Sequence, residues 1–301
     1  MTIVIVIIAV IITTSVTMNI YSAKIGNIPE REKLYNTLSQ VESVVRSNYY
    51  KDIDFYKLKN GAALGYLSEL EGNNKILSES EYNNYKLLMS GKNADGSDFI
   101  SVKSEMYKSV GYIKLLDFTD TTLSQFENAM DSIKSKSPLG VVIDLRDTSS
   151  INIDSAARII DTIVPLATVG TKSIATAVDK DGNNKKVFSA DSQSISLPFS
   201  VIINEKTEGA GELIACDLRD FGKATIVGKT SAGKGTYCQV FELNDGSAVI
   251  LSTASLIPYT SDSYDNVGVK PDYEVDGKQN DDLSKDEQFM KAYASVASLQ
   301  N

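Results

Sequence analysis

Lys234 lies between two glycines in the stretch GKTSAGKG (residues 228–235), which matches most of the G-x-x-x-x-G-K-[ST] pattern of a phosphate-binding loop. That loop needs a serine or threonine directly after the lysine to bind Mg²⁺, and here the position is Gly235. It must also open a helix whose free N–H groups face the phosphates. Residues 236–243 instead alternate as in a strand. The pattern therefore does not indicate nucleotide binding.

Acid–base chemistry in this chain has few residue types to draw on. There is no histidine, which excludes histidine-based catalytic triads and histidine-ligated zinc. Any general acid or base must be Lys, Asp, Glu, Tyr or Cys. The two cysteines, Cys216 and Cys238, could pair in an oxidising compartment or serve as small apolar residues of the core. No pattern indicates a metal site or an organic cofactor.

Composition limits the class of protein and its partners. The 301 residues are 42% hydrophobic and 23% charged, which suits one or two globular domains with a sizeable core. The net charge is −9 and the isoelectric point is near 4.8. Because a surface that binds phosphates needs an excess of basic residues, nucleic acid is excluded as a main partner.

The N-terminal segment has the composition of a membrane span. Residues 2–23 carry no charge, and a bilayer span needs about 20 apolar residues. We predict that residues 1–23 form a transmembrane anchor or a signal segment, with contact to the membrane through residues 2–21. An uncleaved anchor would make the protein single-pass in the cell membrane, with its soluble part outside the cytoplasm. A cleaved signal would end at the weak site near Ser22–Ala23.

Residues 24–98 have the pattern of a helical region. Apolar residues at three- and four-residue intervals predict an amphipathic helix over residues 30–50, and a second helix is expected over residues 54–70. A third should begin after Ser78, which forms a capping box with Glu81.

The pattern changes at residue 99, where short β-branched runs begin to alternate with helical stretches. Helices are expected at residues 121–136, 153–164 and 209–221. This alternation predicts an α/β core over residues 99–276 with an at least partly parallel sheet. The tail, residues 277–301, should be a helix that Ser284 and Glu287 open with a capping box.

Four stretches together resemble the tail-specific, or C-terminal processing, serine peptidases. They are VGYIKLLDF at 110–118, GVVIDLRD at 140–147, the block SVIINEKTEGAGELIACDLRDFGKATIVGKTSAGKGT at 200–236 and VGVKPDYEV at 267–275. The resemblance implies a core of β-β-α units like that of crotonase and Clp protease, with an N-terminal helical subdomain. It also implies cleavage of peptide bonds by a serine–lysine dyad, acting on the C-terminal segment of a peptide or an unfolded protein.

The resemblance also implies roles for individual residues. Lys234 matches the general base, which must be neutral near pH 7, a state that burial favours. Gly233 and Gly235 would leave room for the substrate. Asp220 matches an acidic residue that orders the site, and Ala210 would contribute a backbone N–H to the oxyanion hole.

Three departures from the family pattern point to impaired catalysis. The position 25 residues before Lys234, where the family carries its nucleophilic serine, is Gly209. The family also carries a glycine of the oxyanion hole directly after Asp-Leu-Arg, and here that residue is Asp147. A residue with a Cβ atom adopts the conformations of such a loop less readily. Finally, only a short turn at residues 91–98 stands where the family commonly has a PDZ domain.

Three hypotheses of function follow. The chain could be a working peptidase with a relocated nucleophile, for which Thr207, Ser231 and Cys216 are the candidates. None of these residues lies where the resemblance places the attacking oxygen. A misplacement of about one ångström can lower the rate on the order of a hundredfold. It could instead be a silent relative that binds a peptide, for example as a strand added to a sheet edge. Third, it could be a membrane-tethered scaffold. Association as a homodimer through the N-terminal helices is a further expectation. The departures favour the silent relative.

Overall fold

The computed structural model describes residues 28–164, 173–190 and 195–298. The expected anchor or signal segment, residues 1–23, lies outside these ranges. Within them, no helix combines the length and the apolar character that crossing a bilayer requires.

The described residues form helices and short strands in alternation through most of the chain. The helices are α1 (Ile28–Asn48), α2 (Phe55–Ser68), α3 (Glu79–Met89), α4 (Thr122–Lys134), α5 (Ile153–Ile163), α6 (Ala210–Asp220) and α7 (Glu287–Ala297). The strands are β1 (Lys75–Leu77), β2 (Val102–Tyr107), β3 (Val110–Leu115), β4 (Gly140–Asp144), β5 (Ser149–Ser150), β6 (Ala175–Val178), β7 (Asn184–Phe188), β8 (Phe199–Ile203), β9 (Glu208–Gly209), β10 (Ala224–Gly228), β11 (Thr236–Glu242), β12 (Ala248–Ile257) and β13 (Tyr273–Glu274).

The central sheet has the strand order β13-β10-β8-β4-β3-β2. Its neighbours are parallel except for the antiparallel pair β2–β3. Because alternate side chains of a strand point to opposite faces, Ile113 and Ile143 face a core shared with α4, α5 and α6. Tyr112 and Val142 face the second core, which α7 covers. Helices on both faces of a largely parallel sheet confirm the α/β class.

A second sheet carries the strand that follows Lys234. Its order is β1-β12-β6-β7, and β11 pairs with β12. The residues at the start of β12 pair with both β1 and β11, so these two strands lie on opposite edges of β12. A separate pair, β5 with β9, is parallel and only two residues long.

The two predicted capping boxes have different outcomes. The Ser78 hydroxyl accepts the Glu81 N–H at 3.3 Å while the Glu81 carboxylate accepts the Ser78 N–H at 2.8 Å, which confirms the first. The second is wrong, because α7 begins at Glu287 and its N-cap is Asp286, whose carboxylate accepts the Phe289 N–H at 2.9 Å. Asp286 is buried and also accepts a hydrogen bond from the Arg146 guanidinium. This second interaction favours Asp286 over Ser284 as the N-cap.

The chain divides into two compact units after Ala62. In the first unit, the apolar face of α1 is exposed, with Leu38 46% and Val41 55% exposed. The second unit, from Ala63 onward, contains both sheets and the candidate site.

A buried polar network holds the carboxyl end of β4. The Arg146 guanidinium, only 1% exposed, contacts Asp144 at 2.6 Å and Asp286 at 2.9 Å. It also donates to Gln288 at 3.0 Å, and the Tyr112 hydroxyl donates to Asp144 at 2.7 Å. Burial alone would lower the pKa of Arg146, but the hydrogen bonds and charges of the two aspartates outweigh that effect and raise it. The network therefore ties α7 to the strand that leads into the candidate site.

Candidate functional site

Gly209 lies at a sharp turn from β9 into helix α6. Its backbone angles are φ +56° and ψ −104°, a combination that residues with a Cβ atom rarely adopt. Helix α6 begins at the next residue, Ala210, which is fully buried. The first N–H groups of a helix have no partner within the helix, so the Ala210 amide is free of intrahelical bonds. Its role as an oxyanion donor remains a prediction.

The carboxylate of Glu212 joins this turn to the loop that carries Lys234. It is fully buried and accepts the N–H of Gly209 at 3.0 Å, of Gly233 at 2.6 Å and of Lys234 at 2.7 Å. It also accepts the Ser231 hydroxyl at 2.5 Å. Burial raises the pKa of Glu212, and these four hydrogen bonds partly offset that rise. Glu212 is not among the site residues expected from the sequence, although its place three residues after Gly209 is where a capping glutamate is expected.

The backbone amides of Lys234 and Gly209 lie close together because they share one acceptor atom. Their amides both donate to Oε2 of Glu212, so the two nitrogens are no farther apart than those two bond lengths added. The Lys234 side chain is partly buried. Its ammonium has no hydrogen bond or ion pair with any residue in the described ranges. The pairing of positions 209 and 234 expected from the sequence is therefore compatible with the fold.

The two glycines beside Lys234 allow another backbone segment of the chain to pack closely against this loop. Gly233 has φ +78°, and a Cβ there would lie 2.9 Å from the amide nitrogen of Gly268. A Cβ at Gly235 would lie 2.6 Å from the amide nitrogen of Asp265, whose carboxylate accepts the Gly235 N–H at 3.0 Å. These contacts explain both glycines through packing, and their role in binding substrate remains a prediction.

The segment after β4 occupies the space in front of Gly209. Ser149 and Ser150 pair in parallel with Glu208 and Gly209. A Cβ at position 209 would lie 2.4 Å from the carbonyl oxygen of Ser150, closer than such atoms can approach. The space for a hydroxymethyl group at this position is therefore filled by backbone.

Asp147 corrects one expectation from the sequence. It stands where the family has glycine, yet its φ is +63°, in the left-handed region. Aspartate is among the residues that tolerate this conformation. Asn204 supports it here, because its side chain accepts the Asp147 N–H and donates to the Asp147 carboxylate, both at 3.1 Å. The loss of glycine alone therefore does not exclude the backbone conformation.

Asp220 contacts a different loop from the one that carries Lys234. Its carboxylate accepts the N–H of Thr260 at 2.9 Å and of Ser261 at 2.7 Å, and the Ser261 hydroxyl at 2.6 Å. Within the described structure, its carboxylate forms no hydrogen bond with the Lys234 loop or with Glu212. Asp220 orders residues 260–261, and any effect on the site must pass through that loop.

The alternative nucleophiles have structural partners. The Thr207 hydroxyl is buried and donates to the Leu145 carbonyl at 3.0 Å. The Ser231 hydroxyl donates to Glu212 and accepts the Val269 N–H at 2.7 Å. Cys216 lies in the core on α6, where burial raises the pKa of its thiol to about 12 and so disfavours the thiolate. The two hydroxyls are thus used in hydrogen bonds of the fold, and the thiol is part of the core.

Restoring a side chain at position 209 is expected to destabilise the fold. Gly209→Ser places a Cβ against the Ser150 carbonyl and in a strained backbone conformation, which should lower the free energy of unfolding by about 3 kcal/mol. Gly182→Ser is the matched control, because Gly182 has φ +82° but no atom within 4 Å of its Cβ position. Urea unfolding of both variants measures the difference. Equal losses would show that the Ser150 carbonyl moves aside freely.

A buried carboxyl on α6 makes stability depend on pH. Burial raises the pKa of Asp217 well above 3.8, and its Oδ2 has no hydrogen-bond partner in the described structure. The folded state thus holds this proton more tightly than the unfolded state. The resulting stability is fully present below about pH 4 and is lost as the pH rises through the raised pKa.

We therefore expect Asp217→Asn to gain stability relative to the unmodified chain as the pH is raised from about 4 to about 8. Urea unfolding across this range measures the gain. Asp282→Asn is the control, because the Ser284 hydroxyl and other groups lower the pKa of Asp282 to about 2. The stability of Asp282→Asn relative to the unmodified chain should therefore stay constant above about pH 4 and change only as the pH falls below that value. A relative stability of Asp217→Asn that does not change with pH would contradict the buried, protonated carboxyl.

Comparison with known proteins identifies the family. The model of peptidase family S41 matches residues 109–275, more than half of the chain. A carboxy-terminal-processing protease of Bartonella bacilliformis is 30% identical over 188 residues, which cover 60% of this chain and 42% of that protein. The chain spans less than half the length of the curated relatives it matches.

Two solved structures share the fold. A lipoprotein from Streptococcus agalactiae has a TM-score of 0.62 at 17% identity, covering 82% of this chain and 83% of that one. The photosystem II D1 C-terminal processing protease has a TM-score of 0.52 at 23% identity, covering 60% of this chain and 50% of that one. With its matching motifs in the family's order and its mixed α/β fold, this chain belongs to peptidase family S41, the family of the C-terminal processing proteases.

Proposed function

We propose that this chain is a catalytically impaired member of peptidase family S41 that binds peptide segments without cleaving them. The observation that carries the proposal is the Ser150 carbonyl oxygen, 2.4 Å from the point where a Cβ of residue 209 would lie. A serine nucleophile needs its side chain and a free approach for the scissile carbonyl. Position 209 supplies neither, so the reactive hydroxyl is missing from the place where Lys234 could activate it.

The two backbone segments of the site nevertheless remain held together. This favours a protein that binds peptide over one that has lost all function. Glu212 still holds the turn at Gly209 and the loop at Lys234 together. The curated relatives are named for carboxy-terminal processing. We therefore propose the C-terminal segment of a peptide or of an unfolded protein as the ligand.

The experiment compares cleavage and binding by the same preparations. Fluorogenic unfolded protein and fluorescein-labelled peptides with free C-termini are incubated with the unmodified chain, Lys234→Ala and Gly209→Ser. We expect no cleavage above background by any of the three, together with saturable binding of peptide by the unmodified chain. Cleavage by the unmodified chain that disappears in Lys234→Ala would overturn the proposal, since it requires a working base and a nucleophile elsewhere. Absence of both cleavage and peptide binding would favour the scaffold hypothesis.

We also propose that residues 2–21 anchor the protein in the membrane and hold the soluble part outside the cytoplasm. The support is the uncharged run of residues 2–23, which has about the length of a bilayer span. After expression of the full chain, we expect it to stay in the membrane fraction during an alkaline carbonate wash. Protease added to intact cells should degrade it. Release by the wash would contradict the anchor.

A homodimer through α1 and α2 completes the proposal. The first compact unit contains an apolar groove of about 370 Å³. Its apolar lining residues are Tyr35, Leu38, Val41, Val45, Phe55, Leu58 and Ala62. The intervals of four, three and four residues from Leu34 to Val45 are those at which two helices pack along a common seam. Sedimentation velocity should show a dimer that Leu38→Glu dissociates and the neighbouring change Thr37→Glu does not. A monomeric unmodified chain would contradict the dimer.

A further inference from the structure

Strand β11 has a free edge close to the candidate site. In the described part of the chain, it pairs only with β12. It begins at Thr236, two residues after Lys234. A strand edge without a partner presents a row of N–H and C=O groups with which another extended chain can pair.

The outward backbone groups of this edge are those of Cys238 and Val240. Ser252 lies opposite Cys238, and its N–H donates to Asn74 Oδ1 at 2.9 Å, away from β11. The pair is therefore of the kind that exchanges no hydrogen bonds, and the N–H and C=O of Cys238 point away from β12. Alternation along the strand gives Val240 the same direction. No residue within the described ranges bonds to these outward groups.

A cavity of about 220 Å³ runs along this edge, and we call it the edge slot. Both Tyr237 and Cys238 line it. Because successive side chains point to opposite faces of a strand, the slot follows the edge and not one face of the sheet. Ile151 and Asn152 also line it, directly after the Ser150 carbonyl that meets Gly209. One wall of the edge slot is therefore formed by the same segment that meets Gly209.

The polar and apolar lining of the edge slot favours a particular side chain. Tyr85 and Met89 of α3 contribute apolar surface. Asp120 and Asp154 contribute carboxylates, of which Asp154 is neutralised by Lys186. Asp120 is exposed and forms no ion pair with a described residue. A cation on an aliphatic stem, as in lysine or arginine, complements both parts of this lining.

We propose that the edge slot binds an extended peptide segment carrying a lysine or arginine, as a strand added to β11 with its cation at Asp120. The inference rests on the proposed function and names the surface and the chemistry of the peptide. Main-chain pairing with Cys238 and Val240 supplies affinity, while the pocket for alternate side chains supplies selectivity. Cys238 is only 8% exposed. A partner for its backbone groups therefore relieves the penalty of leaving them unpaired in a nearly buried position.

The first test uses a capped, fluorescein-labelled hexapeptide of alternating valine and lysine and the full chain. Two derivatives carry N-methyl groups on alternate amides, one set on each edge of the extended peptide. Because an added strand uses only one of its edges, we expect one derivative to bind within about threefold of the parent and the other to lose binding. Backbone amides of Cys238 and Val240 should also become protected from hydrogen exchange. Equal affinities of both derivatives would overturn the added strand.

The second test uses variants of the protein. Val240→Pro removes one outward N–H, and proline is tolerated on an edge strand, so this variant should fold and lose most of its affinity. Asp120→Asn should weaken binding by roughly threefold to fivefold, as expected for an exposed ion pair. Asp281→Asn, another exposed aspartate, should have no effect. Replacing the lysines of the peptide with glutamine should abolish the effect of Asp120→Asn.

The outcomes separate the two proposals. Peptide that binds equally well to Val240→Pro and Asp120→Asn would overturn the edge slot and leave the proposed function standing. Failure of the capped hexapeptide to bind, while peptides with free C-termini do bind, would also overturn the edge slot alone. Failure of both kinds of peptide to bind the unmodified chain would overturn both proposals.

Discussion

Replacing Glu212 with alanine is expected to lower the free energy of unfolding by about 4 kcal/mol, because each unsatisfied buried donor costs about 1–3 kcal/mol. The change removes the acceptor for the Ser231 hydroxyl and for three backbone amides, those of Gly209, Gly233 and Lys234. Relief of the buried carboxylate offsets part of the loss. Urea unfolding measures the total, and hydrogen exchange should show that the amides of Gly209 and Lys234 lose protection together.

The matched control is Glu208→Ala, which removes a carboxylate from the same turn. Glu208 is partly exposed, and among the described residues its carboxylate accepts only the Ser149 hydroxyl, at 2.6 Å. Its loss should therefore lower the free energy of unfolding by no more than about 1 kcal/mol. Similar losses in the two variants, or protection of Gly209 and Lys234 that survives Glu212→Ala, would contradict the idea that one carboxylate joins the two loops.

Asp286→Ala is expected to have a comparable effect at the other end of β4. Removing one partner from a buried ion pair typically lowers the free energy of unfolding by about 3–5 kcal/mol, because a buried charge is left uncompensated. Here the Arg146 guanidinium would keep Asp144 and lose Asp286. Helix α7 would also lose its N-cap, the acceptor of the Phe289 N–H. The urea midpoint measures the loss.

Two further variants isolate the cause of that effect. Asp286→Asn retains an oxygen for the Phe289 N–H but removes the charge, so its stability should lie between those of the unmodified chain and Asp286→Ala. Asp282 also caps a helical turn, residues 283–285, but it is exposed and pairs with Lys285. Asp282→Ala should unfold near the midpoint of the unmodified chain at neutral pH. A loss as large as that of Asp286→Ala would show that capping, and not the buried charge, stabilises this end of the chain.

The elements that frame the site were predictable because their signals are local. The periodicity of the sequence placed helices at residues 153–164 and 209–221, and the structure has them at Ile153–Ile163 and Ala210–Asp220. Such periodicity reflects burial of one face, which holds whatever the partner of that face is. Strands shorter than four residues, β1 among them, carry too few residues to show a period.

The interactions at the site were harder to predict because most join distant parts of the chain. Glu212 has a local signal as a capping residue, yet its bonds to Gly233 and Lys234 depend on a loop that returns from the second sheet. Asp147 shows the limit of a residue-type rule, since the Asn204 side chain stabilises a backbone conformation that glycine usually adopts.

The sequence by itself determined the family, the α/β class and the absence of a serine at position 209. These features lie in residue types and in their order along the chain. The tertiary structure alone decided that the Ser150 carbonyl fills the space before Gly209 and that a single carboxylate connects Gly209 with Lys234. It also decided that, among the described residues, β11 pairs on one edge only. The physical reason is that each of these depends on which strands and loops become neighbours. That choice is made by packing and hydrogen bonding over the whole domain, and no short stretch of sequence contains it.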